Sequence, residues 1–197
     1  MNKHKISKDI LIAGSSGIIG SFLIKNKNCK NIFFSISKSE KSNKNHFQLD
    51  LTEKSSVMDF CNHCKQFSTI IFLVGLAHNK GNSRELDLFE KVNYESLVNL
   101  LNCLKEVDKL PEKIIFASTI SVYGERINKK IYHENLELKP LSPYAITKRK
   151  SESFLLKNYK TNTWILRFAP IYSNNFLLNI KRRTKLFFFY YKISDGK

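Results

Sequence analysis

The stretch Ile10-Leu11-Ile12-Ala13-Gly14-Ser15-Ser16-Gly17-Ile18-Ile19-Gly20 decides the fold. Its first four residues form a continuous apolar run, the pattern of a strand buried on both faces of a sheet. The glycines then lead into Phe22-Leu23-Ile24, read as a helix. A strand that turns on glycines into a helix lets backbone N–H groups approach a pyrophosphate, and the helix dipole favours its charge. The spacing alone also fits a tight turn with close helix packing. Its place directly after a strand and near the chain start favours nucleotide binding, with Gly14, Gly17, Ile18, Ile19 and Gly20 as the contact residues.

Outward from this turn, strands are expected at Ile32 to Ile36, Phe47 to Leu49, Ile70 to Val74, Lys113 to Ala117 and Thr163 to Phe168. Between them, Leu86 to Leu104 carries apolar residues at helical spacing, notably Leu88, Val92, Leu97, Leu101 and Leu104. Ser142-Pro143 opens a further helix running to about Lys157, with Pro143 suited to a first turn. Strands alternating with helices predict an α/β fold with a doubly wound parallel sheet.

A chain of 197 residues, 42% hydrophobic and 25% charged, suffices for one well-buried domain and is short for two. The net charge of +16 would suit an anionic partner, but the lysines are spread along the chain and no nucleic-acid module is recognisable, so nucleic acid is not expected. Four cysteines occur, at 29, 61, 64 and 103. The lone pair Cys61-Asn62-His63-Cys64 has no second pair to complete a zinc site, so packing cysteines in a reducing cytoplasm, and no metal, are the expectation. Lys3, Lys5 and Lys8 precede an apolar run as in a signal peptide, but Asp9 and the glycines interrupt that scheme. Ile70 to Ala77 is too short to span a bilayer. No integral membrane segment is expected.

Tyr144 and Lys148 stand four apart on the helix opened by Ser142, so both project from one face, and Thr119 ends an earlier strand. An adjacent ammonium favours phenolate and makes Tyr144 a candidate proton acceptor. The strand ending at Ser35-Ile36-Ser37-Lys38 lacks the carboxylate that would bind an NAD ribose. Ser37 and Lys38 would tolerate a 2′-phosphate, which leaves NAD and NADP both open. Asp50 can accept from an adenine amino group or cap a helix beginning near Thr52.

The ordered set of the Gly14-to-Gly20 turn, Asp50-Leu51, Val74-Gly75-Leu76-Ala77, Asn93, Ser118 to Gly124, Glu134, Ser142 to Lys148 and Leu166 to Pro170 resembles a known family. It is that of the extended short-chain dehydrogenases/reductases, in the NAD-dependent nucleotide-sugar epimerase/dehydratase branch typified by UDP-glucose 4-epimerase. The resemblance covers residues 8 to 173. It implies a Rossmann fold that holds NAD or NADP through the glycine turn, Ser37, Lys38, Asp50, Leu51, Val74, Gly75, Asn93, Tyr144, Lys148 and Pro170. It further implies that Tyr144 is the catalytic acid or base, that Lys148 lowers its pKa and binds the nicotinamide ribose, and that Thr119 hydrogen-bonds the reacting sugar hydroxyl. The implied partner is a nucleotide-sugar, a UDP-sugar, with a homodimer compatible. Transient oxidation of a sugar hydroxyl in surface-polysaccharide synthesis would be the chemistry, as epimerase, dehydratase or 4-keto reductase. The runner-up is a non-catalytic dinucleotide-binding protein.

Two departures from the family pattern stand out. Ser173-Asn174-Asn175 replaces the usual glycine-proline turn, and members generally continue well beyond the point reached by Lys197. Residues 1–173 are therefore expected to be the dinucleotide-binding domain and 174–197 the start of a truncated substrate region. Cofactor binding with poor sugar turnover is the corresponding expectation, together with an association-prone Phe187 to Tyr191 segment.

Overall fold

Strand β1 (Ile10–Ala13) takes the centre of a six-stranded sheet, flanked by β2 (Phe33–Ser37) and β4 (Thr69–Phe72). The computed structural model describes residues 9–26, 33–77, 85–124, 131–172, 185–186 and 189–190. With β3 (His46–Gln48), β5 (Lys113–Thr119) and β6 (Thr163–Phe168), the strand order is β3-β2-β1-β4-β5-β6. The pairs β1–β2, β1–β4, β2–β3 and β4–β5 are all parallel. Burial explains the continuous apolar runs: Leu11, Ile12, Ile70, Phe72 and Phe116 are essentially inaccessible.

Helix α1 (Ile18–Lys25) follows the glycine turn, and α2 (Lys54–His63) follows β3. The expected long helix is present but divided into α3 (Glu85–Glu90), a π-helical turn at Lys91–Glu95 and α4 (Ser96–Glu106). Such wide turns often mark functional sites, and this one carries the fully buried Asn93. Helix α4 ends on Asp108 in the left-handed region (φ 53°), with Lys109 N donating to Leu104 O and Asp108 N to Lys105 O. Lys109 Nζ in turn donates to the carbonyls of Cys61, Asn62 and Cys64, closing the end of α2.

Helix α5 (Pro143–Asn158) starts as its sequence predicts, with Ser142 Oγ accepting from Ala145 N at 3.2 Å. Asp50 departs from expectation. It caps no helix, because α2 begins at Lys54 with Glu53 at its N-cap. Its carboxylate instead accepts from the N–H and hydroxyl of Thr52 in a local turn. Strand limits also move slightly: β4 leaves the sheet after Phe72, and β5 runs on to Thr119.

The chain divides into two compact units, Met1–Arg167 and Phe168–Lys197. In the second, β7 (Lys185–Leu186) pairs antiparallel with β8 (Phe189–Tyr190). Cys29, Ser173-Asn174-Asn175 and the rest of the basic aromatic tail lie outside the described residues. Cys61, Cys64 and Cys103 are free, buried thiols; burial pushes Cys61 up to about 12 and raises the other two, so they are unreactive packing groups.

Candidate active site

The strand order reverses between β1 and β4, so the carboxyl ends of these two strands border a crevice. Gly14 stands at its floor with φ +88°, and a Cβ there would lie 2.9 Å from Val74 N. Gly20 is equally constrained, since its Cβ would lie 2.5 Å from Gly14 O. These two glycines are required by the fold itself. Gly17 differs: its φ is an ordinary −72°, it is exposed, and a Cβ would meet only Gly14 O at 3.4 Å. No side chain caps α1, so the first-turn N–H groups of Ile18, Ile19 and Gly20 are left without a side-chain acceptor, next to the exposed Gly17. Such a helix start fits a bound phosphate better than it fits any demand of packing.

A continuous line of contacts runs along this edge. Gly14 and Ser15 donate their N–H groups to Ile36 O at 2.9 and 3.2 Å, tying the turn to β2. Gly14 abuts Val74, and Val74 O accepts from Lys148 Nζ at 3.0 Å. Tyr144, one turn earlier on α5, has the Thr119 side chain near enough for that hydroxyl to favour its phenolate, while Thr119 Oγ1 itself accepts from Ser121 N and lies 3.2 Å from Ser121 Oγ. The structure thus brings together Gly14, Val74, Gly75, Lys148, Tyr144 and Thr119.

Lys148 is 2% exposed, its Nζ sits 4.8 Å from the Phe116 ring centre, and a Cβ on Gly75 would lie 3.0 Å from it. Burial, with no charged partner, lowers Lys148 to about 7. Burial likewise raises the Tyr144 phenol, partly offset by the nearby Thr119 hydroxyl. Without a ligand, the site therefore holds a neutral phenol above an amine reluctant to stay charged. A dinucleotide fits this arrangement: its ribose hydroxyls and phosphates supply the acceptors that the buried ammonium lacks.

At the outer end, Lys38 Nζ lies 2.6 Å from Asp50 Oδ2. Burial alone would raise Asp50, but hydrogen bonds from Lys38 and Thr52 and the lysine charge outweigh it and hold the carboxyl below its usual range. Ser37 turns inward, its hydroxyl 3.1 Å from His46 Nε2 and accepting from Glu40 N at 3.2 Å. Ser35 Oγ lies 2.7 Å from the other ring nitrogen, so His46 pins the end of β2.

The side chains of Asn93 and Leu51 are engaged within the protein. Asn93 Oδ1 accepts from Leu76 N at 2.6 Å, and its Nδ2 donates to Leu76 O and to Thr147 Oγ1. The amide holds the loop after β4 against α5, because a buried amide so placed is satisfied by protein alone. Leu51 puts its side chain into the core, and its carbonyl accepts from Asn99. Pro170 belongs to the second unit.

Residues not singled out as site residues also appear. Buried Glu152, four beyond Lys148, accepts from Ser118 Oγ at 2.6 Å and from Arg167. The i+4 spacing from Lys148 was the available signal. His46 had none, since its role depends on the β2–β3 register. Among the described residues, no group of three or more His, Cys, Asp or Glu is placed to hold a metal, and no helix is long and apolar enough to cross a membrane.

This strand order, with a glycine turn at its switch point, defines the Rossmann class. Within it, the chain belongs to the NAD-dependent epimerase/dehydratase family, whose sequence pattern matches residues 10–196. A putative UDP-glucose 4-epimerase of Methanocaldococcus jannaschii is 30% identical over 176 residues, covering 83% of this chain and 56% of that protein. The UDP-glucuronic acid 4-epimerase of Bacillus cereus, solved in complex with NAD, shares 25% identity and a TM-score of 0.67, covering 83% of this chain and 57% of that one. A dTDP-4-dehydrorhamnose reductase of Clostridium acetobutylicum, at 24% identity and a TM-score of 0.71, shares the fold over 89% of this chain and 59% of its own. The chain spans little more than half the length of these relatives.

Proposed function

We propose that the protein acts as an NAD(P)-dependent nucleotide-sugar epimerase that begins by oxidising a sugar hydroxyl. The observation that carries this reading is buried Lys148, one turn from Tyr144, donating to Val74 O at the carboxyl edge of the sheet and continuous through Val74 with the glycine turn, with Thr119 beside the phenol. The likeness to UDP-sugar 4-epimerases, one of them holding NAD, supports a UDP-sugar substrate. The turn at Gly14, Gly17 and Gly20, with the N–H groups of Ile18 and Ile19, would hold the pyrophosphate, and Lys148 the nicotinamide ribose. When bound, the nicotinamide supplies a hydride acceptor and donor.

The protein's own part is the proton. A sugar carbon can give up hydride to become a carbonyl only if its hydroxyl proton leaves at about the same time. Thr119 is placed to fix that oxygen and Tyr144 to take the proton. Tyr144 must ionise to do so, and a Lys148 recharged by its ligand favours the phenolate. Products of this kind would feed surface-polysaccharide synthesis in the cytoplasm.

Conversion of UDP-glucose to its 4-epimer in the presence of NAD tests the reading, assayed in a chain joined to a relative's substrate region because residues 1–197 are expected to turn sugar over poorly. Appearance of the epimer supports it, and binding of NAD and UDP-glucose without any exchange at that carbon counts against it.

The outer edge sets cofactor preference. Lys38, exposed at the end of β2, is the group a 2′-phosphate would meet. Lys38→Glu is expected to weaken NADP binding about tenfold and leave NAD within about twofold. Equal losses for both cofactors, measured by calorimetry, would remove Lys38 from the 2′ position.

A further inference from the structure

The proton relay rests on two side chains from different layers: Thr119 ends a sheet strand, and Tyr144 opens a helix. Their approach to one another depends on the separation at which α5 packs on β5. The groups that set this separation stand one residue from Thr119 and two turns from Tyr144. On α5, Tyr144, Lys148 and Glu152 occur at intervals of four, a single stripe facing the sheet. The neighbouring stripe, Thr147 and Ser151, faces the π turn, where Ser151 Oγ donates to Asn93 O at 3.0 Å.

Glu152 is wholly buried. Its Oε1 accepts from Ser118 Oγ at 2.6 Å and from Arg167 Nε at 3.0 Å, and its Oε2 from Arg167 Nη2 at 2.8 Å. The planar guanidinium is thus gripped at two points, the geometry that best fixes direction as well as distance. Its remaining arm, Nη1, donates to Tyr123 Oη at 2.8 Å and more weakly to Glu134 O at 3.4 Å. Tyr123 ends the 3₁₀ turn Ile120–Tyr123, whose start is capped by Thr119 Oγ1 accepting from Ser121 N. One carboxylate and one guanidinium therefore hold both sides of Thr119: Ser118 before it and the turn after it.

We propose that Glu152 and Arg167 are positioning residues for the proton relay, a buried ion pair that sets the distance between Thr119 and Tyr144. Neither group reaches the relay itself. The inference rests on the epimerase reading for its meaning, but it makes a claim about one contact that can be tested without substrate or cofactor.

Such a pair is an uncertain source of stability, because desolvating two charges offsets much of their attraction. Losing one partner should lower stability whether or not the pair positions anything. The test must therefore read the contact itself. Tyrosine labelled with ¹³C at the phenol carbon reports the hydrogen-bond state of each ring by NMR at neutral pH. Tyr144, one of eight tyrosines, is assigned through Tyr144→Phe. Arg167→Lys keeps a cation beside Glu152 but cannot grip Glu152 and Tyr123 together. Glu152→Gln keeps the shape and removes the charge.

In both variants the Tyr123 resonance is expected to move, showing that the network is broken. The Tyr144 resonance should move with it toward that of a phenol without the Thr119 hydroxyl beside it, as read independently in Thr119→Val. Tyr94 and Tyr159, whose rings pack against Phe154 rather than against Glu152 or Arg167, should stay in place. A folded variant in which Tyr123 moves and Tyr144 does not would overturn the proposal and leave the pair a structural tie. Should Glu152→Gln fail to fold, Arg167→Lys alone decides, because its charge remains paired. Failure of NAD to bind the wild-type protein would instead strike the epimerase reading and leave this result standing.

Discussion

Replacing Tyr144 by phenylalanine is expected to cut nucleotide-sugar turnover by roughly 10²–10⁴-fold while leaving dinucleotide affinity almost unchanged. The ring would remain where it packs, half-buried beneath the end of β5; only the oxygen that meets Thr119 is lost. Tyr144 stands one turn from buried Lys148 on α5, with the Thr119 hydroxyl beside its phenol. Steady-state kinetics with UDP-glucose, in a version carrying a substrate region if residues 1–197 alone are silent, paired with calorimetry, separates the two effects. Undiminished turnover in Tyr144→Phe would end the proposed proton relay.

Lys148→Met should do something that a loss-of-function substitution usually does not: stabilise the unliganded protein. Burial holds Lys148 at about 7, against roughly 10.4 for a lysine in an unfolded chain. Between these values the unfolded state binds a proton that the folded state does not. Stability therefore falls as pH is lowered from about 10 to about 7, and the penalty is complete below that. Methionine removes the penalty, at the smaller cost of leaving Val74 O without its donor. At pH 7 the variant is expected to melt higher by on the order of 5 °C, and the difference should shrink as pH approaches 10. The same variant should bind dinucleotide more weakly, since the buried charge is what the ligand completes. A lower Tm at pH 7 would show that Lys148 is better solvated than its surroundings indicate.

Much of the site was legible in the chain because the signals were local. Ser142-Pro143 announces the start of α5, and the spacing of four puts Tyr144 and Lys148 on one face. The apolar run before Gly14 places the turn at a strand end, and the structure then separates the glycines by role, which spacing cannot do. What was hidden depends on register and packing between distant elements. Asp50 was readable as an acceptor, but its pairing with Lys38 arises only when β2 and β3 lie side by side. Asn93 was placed correctly in a helix, yet a π turn and the approach of Leu76 and Thr147 commit its amide to protein. Ser37 reads in the sequence as a strand-end residue that would tolerate a 2′-phosphate, while its contact with His46 depends on the β2–β3 register.

The central claim is that this edge binds a dinucleotide, and Gly17 offers its most direct test. Gly14 and Gly20 are glycine because the backbone permits nothing else, so their substitution would confuse folding with binding. Gly17 has ordinary backbone angles and room for a side chain, so Gly17→Val should fold with a Tm lowered by only a few degrees, the cost of a poorer N-cap residue. Its side chain would nonetheless occupy the approach to the N–H groups at the start of α1. Calorimetric titration with NADH should show affinity lost by roughly a hundredfold, the equivalent of about 2.7 kcal/mol. Equal affinity in a folded Gly17→Val and in the wild type would contradict the account.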